Sequence, residues 1–282
     1  MKTILKQMVE AYQPKNNEEK RNVVKEVMQE ITLCALSKAG FFDVVAFYGG
    51  TALRTFYGLD RFSEDLDFSL MMKNKDFDLS TYVPSLKRIV QSFGLNVEVE
   101  IKHKTLDSAI QSAFLKGDTI EQFLLFYPND LVTGINKNEK VKIKFEIDNM
   151  PASLATYETK YRLLPMPYSI KLYDEASLFS GKIHAVICRS WKSRVKGRDL
   201  YDYVFYLTRN TKFNLDHLRE KLIESHYISQ EDKFDVDFVK ALLIARFNEI
   251  DFNDAKKDVL PFIKDTSILD IWSKEFFIAI TS

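Results

Sequence analysis

Residues 48–68 read Tyr-Gly-Gly-Thr-Ala-Leu-Arg-Thr-Phe-Tyr-Gly-Leu-Asp-Arg-Phe-Ser-Glu-Asp-Leu-Asp-Phe, and this stretch decides the fold. The apolar residues 44–48 predict a buried strand, and residues 51–57 predict a short helix. Asp65 and Asp67 then fall on a second predicted strand, where alternation places both carboxylates on one face. A glycine turn, a helix and an acidic strand in this order indicate a protein that handles a nucleotide.

The paired glycines Gly49 and Gly50 open the predicted helix. Without a side chain the backbone adopts turns closed to other residues and approaches a ligand closely. Thr51 follows at the helix start, where free amide groups and the helix dipole attract phosphate. An isolated Gly-Gly-Thr is more often a simple turn. The acidic strand that follows favours a phosphate site.

Asp65 and Asp67 are the candidate metal ligands. Two neighbouring carboxylates repel each other unless a cation lies between them. Mg²⁺ prefers oxygen ligands and commonly binds one or two carboxylates together with substrate phosphates, and Mn²⁺ is the alternative ion. An isolated Asp-x-Asp is more often a solvated strand end. The preceding glycine motif and the apolar flanks favour metal binding.

A third carboxylate is expected on the alternating segment 141–148, which predicts a half-buried strand. Glu146 and Asp148 share its polar face, so either one is a candidate. Lys142 and Lys144 lie on the same face and offer both acids a simple ion pair. We prefer Glu146, mainly because of the family resemblance described below.

Charge is segregated along the chain although 40 basic and 40 acidic residues balance overall. From residue 199 to the end, 11 basic and 16 acidic residues give a net charge of −5. The segment 182–198 has no acidic residue. Such a run is usually a solvated face, but it also suits the phosphates of a nucleotide or an RNA. Its basic residues are Lys182, Arg189, Lys192, Arg194, Lys196 and Arg198.

Within this region Lys182 and Arg189 are two helical turns apart on a predicted helix, so both could reach a triphosphate. Asp199 and Asp202 share a face of the next predicted helix. We expect these two carboxylates to orient Lys182 or an arginine towards the substrate.

The fold class is predicted as α/β (α+β), in a chain of 282 residues that is long enough for two domains. Residues 1–165 are expected to form a mixed sheet with flanking helices, and residues 166–282 a mainly helical domain that contributes Lys182 and Asp199 or Asp202. Two uncertain regions lie in the first part. Gly117-Asp118 is a candidate hairpin turn, and the prolines between 151 and 167 predict irregular chain.

The composition is that of a soluble globular protein, with 46% hydrophobic and 28% charged residues. No apolar run is long enough to cross a bilayer, and the N-terminus has no signal-peptide core. Cys34 and Cys188 are read as buried thiols, and four histidines without ligand spacing argue against a structural zinc site. The expected location is the cytoplasm, with no membrane partner.

The motifs in residues 49–54 and 61–68 resemble the signature of the AbiEii/AbiGii toxin family of nucleotidyltransferases, in the DNA-polymerase-β-like superfamily. Residues 181–185 and 196–203 resemble the later motifs of that family. The resemblance covers residues 45–205 in pieces, and no motif is recognised beyond them. It implies two-gene toxin–antitoxin or phage-defence systems, in which some members transfer nucleotides to the 3′ end of tRNA.

The resemblance also implies a site, in which the metals lie on the Asp pair and the phosphates at Gly50-Thr51. Its expected catalytic residues are Asp65, Asp67, Glu146, Lys182, Asp199 and Asp202, and Asp65, Asp67 and Glu146 are the expected metal ligands. The expected nucleotide-binding residues are Gly49, Gly50, Thr51, Arg54, Ser63, Lys182 and Arg189.

The leading hypothesis is a Mg²⁺-dependent nucleotidyltransferase toxin that uses an NTP, modifies an RNA, best a tRNA 3′ end, and has a cognate antitoxin. One alternative is a nucleotide-binding regulatory module without catalysis. Another is transfer to a small molecule such as an aminoglycoside, or to a protein hydroxyl.

Overall fold

The computed structural model describes residues 2–102, 110–118, 140–189 and 195–282. These residues form two compact units, each assembled from separate pieces of the chain. The first unit lies within Met1–Thr51, Glu64–Pro151 and Thr159–Leu172, and the second within Ala52–Ser63, Ala152–Glu158 and Tyr173–Ser282. The segment Ala52–Ser63 therefore belongs to the second unit although both its flanks belong to the first.

A seven-stranded mixed sheet organises the fold. Its strands are β1 Val45–Tyr48, β2 Leu66–Leu70, β3 Glu98–Lys102, β4 Ile110–Asp118, β5 Lys140–Asp148, β6 Tyr157–Arg162 and β7 Tyr168–Tyr173. Across the sheet the order is β3-β4-β5-β2-β1-β7-β6. Strand β2 pairs parallel with β5 and antiparallel with β1, which pairs parallel with β7. The predicted mixed sheet of an α/β protein is confirmed.

The α-helices that begin in the first unit are α1 Lys2–Glu10, α2 Asn17–Lys38, α3 Gly49–Ala52 and α4 Val83–Ser92. The Asn16 side chain accepts a hydrogen bond from the backbone N–H of Glu19 and so caps the start of α2. Val27 and Ile31 on α2 are fully buried, as are Phe47 on β1 and Phe68 on β2. The apolar face of β2 is thus fixed in the core, and its alternate residues point the other way.

The second unit contains the helices α5 Glu175–Cys188, α6 Gly197–Thr208, α7 Leu215–Glu224, α8 Val236–Phe247, α9 Phe252–Val259 and α10 Lys274–Thr281. Aromatic side chains fill its core. Phe179 stacks on Tyr206 with ring centroids 4.4 Å apart, and Tyr203 packs against Phe247. This packing fixes α5 against α6, the two helices that carry Lys182 and the aspartates.

The hairpin turn proposed at Gly117-Asp118 is wrong. Strand β4 continues through both residues, where Gly117 pairs with Val141 and Asp118 with Lys140. Pairing with the full length of β5 satisfies the backbone at these positions, so the local turn signal does not decide the structure. The remainder of the proposed hairpin, residues 119–127, lies outside the described residues.

The expectation of irregular chain around the prolines is also wrong in part. Strands β6 and β7 both form in this region and complete one side of the sheet. Pro151, Pro165 and Pro167 lie before or between the two strands, where no ladder hydrogen bond is lost.

Within the described parts of the chain, no helix combines the length and the apolar character needed to cross a membrane.

Gly197, at the start of α6, is required by close packing. A Cβ atom there would overlap the carbonyl oxygen of Ala255 on α9 and lie 2.7 Å from its carbon. We expect Gly197→Ala to lower the free energy of unfolding by about 3 kcal/mol because one helix backbone must move. Gly181→Ala is the control: no atom lies within 4 Å of the added Cβ, and the helix gains roughly 0.5–1 kcal/mol. Urea denaturation of both variants measures this, and equal midpoints would contradict it.

Candidate active site

One group of candidate residues lies on the first unit, where β1 ends and β2 begins. Tyr48 pairs with Asp67 across the antiparallel β1 and β2, and Asp67 pairs with Glu146 across the parallel β2 and β5. Register partners on neighbouring strands project from the same face of a sheet. The polar face of β2 therefore sets the Asp67 and Glu146 side chains beside each other.

Gly49 follows β1 with a positive φ of +83°, a conformation that favours glycine. A Cβ atom at this position would overlap Oδ2 of Asp67 and lie 3.0 Å from its Cβ. The backbone of Gly49 thus lies directly against the Asp67 carboxylate. The observed close approach is thus between Gly49 and the candidate metal ligand, and the predicted approach of the glycine pair to a phosphate stays a prediction.

Thr51 is 1% exposed, and its hydroxyl donates a hydrogen bond to the backbone carbonyl of Asp65. This bond ties the start of the short helix α3 to the residue that precedes β2. A hydroxyl has one proton to donate. A phosphate contact from Thr51 would therefore use its backbone amide.

The Glu146 carboxylate has two partners on the sheet. The Lys144 ammonium lies 2.9 Å from Oε2, and the Ser112 hydroxyl donates to Oε1 at 3.2 Å. Burial opposes the charge of Lys144, but the hydrogen bond to Glu146 and the charges of Glu146, Asp65 and Asp67 raise its pKa overall. Three candidate carboxylates therefore act on one cationic group.

Asp148, the alternative third carboxylate, pairs in register with Ser69, one step beyond Asp67 along the sheet face. Its Oδ1 accepts a hydrogen bond from the backbone N–H of Met150, as expected for an acid that caps a strand end. The register therefore favours Glu146 as the neighbour of Asp67.

The donor set on this face fits a divalent cation in part. In the described ranges no three His, Cys, Asp or Glu side chains come together as a metal-binding group. Mg²⁺ commonly binds one or two protein carboxylates and takes its other ligands from phosphates and water. The Asp65 and Asp67 carboxylates suit such a site, and Glu146 would have to exchange its Lys144 partner to join them.

The second group of candidate residues lies on the second unit and is an ion-pair network. The Nζ of Lys182 on α5 lies 2.6 Å from Oδ1 of Asp199 and 2.9 Å from Oδ2 of Asp202, both on α6. Nη1 of Arg189 lies 2.6 Å from Oδ2 of Asp199. Both aspartates contact Lys182, as their spacing on one helical face predicts. Arg189 follows the last residue of α5, yet Asp199 holds it beside Lys182.

Arg61 completes this network, and sequence reasoning did not include it. Its Nε and Nη2 bind Oδ1 and Oδ2 of Asp202 at 2.6 and 2.7 Å. The Asp202 side chain is 0% exposed and that of Arg61 4% exposed. Burial opposes ionisation of Asp202, but the charges of Arg61 and Lys182 lower its pKa. Asp202 is therefore a buried carboxylate that remains ionised.

Arg54 and Ser63 are placed in the second unit, within the segment 52–63. Nη1 of Arg54 donates to the carbonyls of Leu59, Asp60 and Arg61, and so holds the loop that carries Arg61. Ser63 is 7% exposed. The nucleotide-binding roles of both residues remain predictions.

The basic segment is less available to a polyanion than its composition suggests. Asp199 pairs with Lys182 and Arg189, and Asp258 lies 3.8 Å from Nε of Arg198. Lys192 and Arg194 lie outside the described residues.

Comparison with known proteins identifies the family. Residues 31–278 match the family described as nucleotidyl transferase AbiEii toxin, type IV toxin–antitoxin system. Among solved structures, JHP933 from Helicobacter pylori is similar at 19% identity and a TM-score of 0.49, over 92% of this chain and 88% of that one. MenT4, a nucleotidyltransferase toxin from Mycobacterium tuberculosis H37Rv, is similar at 14% identity and a TM-score of 0.48, over 100% and 99%. A comparison with curated proteins gives no match.

The family match covers most of the 282 residues and contains every candidate site residue named above. The chain belongs to the AbiEii family of nucleotidyl transferase toxins of type IV toxin–antitoxin systems.

Proposed function

We propose that this nucleotidyltransferase is Mg²⁺-dependent and transfers NMP from an NTP to an RNA, with the 3′ end of tRNA as the acceptor. The observation that carries the metal dependence is the sheet register that sets Asp67 beside Glu146, with both carboxylates and Asp65 acting on one ammonium group. The family name supports the transfer reaction. The RNA acceptor is supported by the motif resemblance.

In this proposal Asp65 and Asp67 hold the metal, Mg²⁺ or alternatively Mn²⁺, and Glu146 helps to orient the attacking hydroxyl. When bound, the metal would supply Lewis acidity and neutralise triphosphate charge. The backbone at Gly49, Gly50 and Thr51 lies against the phosphates. The 3′ hydroxyl oxygen attacks the α-phosphorus and releases its proton to solvent, the bond from the α-phosphorus to the oxygen of the β-phosphate breaks, and pyrophosphate leaves.

Lys182 and Arg189 would balance the negative charge that develops on the leaving pyrophosphate. Asp199 orients both cations by holding them on its two oxygens. We propose accordingly that the helical domain, residues 166–282, contributes Lys182 and Asp199 or Asp202 to the transfer reaction. A cognate antitoxin is implied by the family.

The test incubates the protein with each α-labelled NTP, Mg²⁺ and total tRNA. We expect label in tRNA with at least one NTP, and none after EDTA treatment. Periodate-oxidised tRNA is the matched control because it lacks the 3′ hydroxyl, and we expect no label there. Label that appears on tRNA oxidised before the reaction would contradict transfer to the 3′ hydroxyl.

A second candidate function is a module that binds nucleotide without catalysis. It is favoured by the Glu146 carboxylate, whose two oxygens are already bound by Lys144 and Ser112. Tight NTP binding with no labelled product, with Mg²⁺ or Mn²⁺, would support it. Label that appears on a small molecule such as an aminoglycoside, or on protein, would instead redirect the acceptor.

A further inference from the structure

Arg61 is the buried cation that the proposed reaction does not use directly. In sequence it stands four residues before Asp65, but its side chain belongs to the second unit. Its guanidinium binds both oxygens of Asp202 in a bidentate pair, and Nη1 donates to the carbonyl of Phe62. It is thus a fixed element of the network and not a solvent-facing charge.

Asp202 is shared between two cations. Its Oδ2 lies 2.7 Å from Nη2 of Arg61 and 2.9 Å from Nζ of Lys182. A fully buried carboxylate needs a compensating charge, and after the loss of one partner the remaining partner has to supply it. Without Arg61, Lys182 would be the one described cation left to neutralise Asp202.

The charge balance of the network also indicates that Arg61 neutralises Asp202. Among the described residues its cations are Arg61, Lys182 and Arg189 and its anions are Asp199 and Asp202, so one positive charge is in surplus. The buried Arg61 balances Asp202, while Lys182 is 15% exposed and Arg189 54% exposed. The surplus charge therefore lies at the exposed end of the network, where an anion can reach it.

We infer that Arg61 is a positioning residue for triphosphate binding: by neutralising Asp202 it leaves the charge of Lys182 available to the phosphates. This inference rests on the proposed role of Lys182 as a phosphate ligand. Arg61 itself touches no substrate. Its removal turns Lys182 into the partner of a buried acid and leaves the remaining four groups with no net charge.

The test measures the binding of tripolyphosphate and of each NTP by titration calorimetry. We expect Arg61→Met to weaken binding about 10- to 100-fold, which is the range for a lost charge-assisted contact. If Arg61→Met weakens binding only in proportion to its loss of thermal stability, Arg61 is merely structural and the inference is overturned.

Arg162→Met is the matched control. Arg162 also forms a bidentate pair with a buried acid, Glu30, at 2.8 and 3.1 Å, but in the first unit. We expect its variant to lose stability and to keep its affinity for triphosphate within about twofold. An equal loss of affinity in Arg162→Met and Arg61→Met would overturn the inference.

A double variant covers the case in which Arg61→Met does not fold. Arg61→Met with Asp202→Leu removes both buried charges, an exchange that is often neutral or stabilising. Lys182, Arg189 and Asp199 then regain one surplus positive charge, so we expect tighter binding than in Lys182→Met although Asp202 no longer orients Lys182. A folded double variant that binds as weakly as Lys182→Met would overturn the charge-balance argument.

Lys182→Met separates the inference from the proposed function. We expect it to weaken triphosphate binding at least as much as Arg61→Met. If Lys182→Met binds like the wild type, the phosphate role of Lys182 and the role of Arg61 both fail. The transfer reaction itself is tested separately, by labelling of tRNA with the wild-type protein, and does not depend on that binding result.

Discussion

Asp67→Asn is expected to reduce nucleotidyl transfer by about 10³-fold or more, because a metal-bridged transfer site depends on the charge of its carboxylates. Asp67 lies on the central strand β2, beside Glu146 and directly beneath the backbone of Gly49. The amide keeps the shape that fits under Gly49 and removes the negative charge. The variant should therefore fold, and relief of repulsion from Glu146 should keep its melting temperature at or above that of the wild type.

The measurement is transfer of labelled nucleotide across a range of Mg²⁺ concentrations. Asp76→Asn is the control, since Asp76 is an exposed acid in a loop of the same unit. It should retain activity within about twofold, as surface changes usually do. If folded Asp67→Asn keeps more than a tenth of wild-type activity, Asp67 is not a metal ligand. Two further single variants, Glu146→Gln and Asp148→Asn, are assayed separately in the same way. The one that loses more activity identifies the third carboxylate.

Local patterns in the sequence predict those elements whose burial follows from their own periodicity. Strand β2 has Leu66, Phe68 and Leu70 buried, and this alternation also placed Asp67 on the opposite face. The helix α5 and the paired aspartates of α6 were predicted in the same way. In each case the spacing along one element fixes which side chains share a face.

Pairing between distant strands decides the parts of the fold that local sequence patterns do not predict. The end of β4 is a strand because it pairs with β5, although Gly117-Asp118 is a local turn signal. Strands β6 and β7 form beside prolines because their place in the sheet satisfies the backbone between them. Such pairings depend on partners that are distant in sequence, and no window of residues contains the information.

The site shows the same limit. Arg61 and Asp202 are 141 residues apart, and no spacing rule connects them. One signal in the sequence pointed to a role for Arg61. It stands inside the acidic motif and precedes the apolar Phe62, and an arginine that is buried in such a context needs an acidic partner. Lys144 was visible as the neighbour of Glu146 on a polar strand face, and the structure confirms that ion pair.

Gly49→Ala is expected to reduce transfer by about 10²-fold, because a displacement of a catalytic group by roughly 1 Å has an effect of that size. The new methyl group would overlap Oδ2 of Asp67 and force that carboxylate away from its place beside Glu146. The positive φ of +83° adds strain of about 1–2 kcal/mol.

Gly58→Ala isolates the strain from the displacement. Gly58 has nearly the same φ, +82°, but no atom lies within 4 Å of an added Cβ. Gly58→Ala should therefore lose stability through the positive φ alone and keep its transfer activity, whereas Gly49→Ala should lose more stability through the overlap and should also lose transfer activity. Equal activity in the two variants, assayed where both are folded, would mean that the backbone of Gly49 does not position Asp67. Loss of transfer in Gly49→Ala alone would tie the glycine pair to the carboxylate site. Among the described residues, the three atoms nearest to the added methyl group all belong to Asp67.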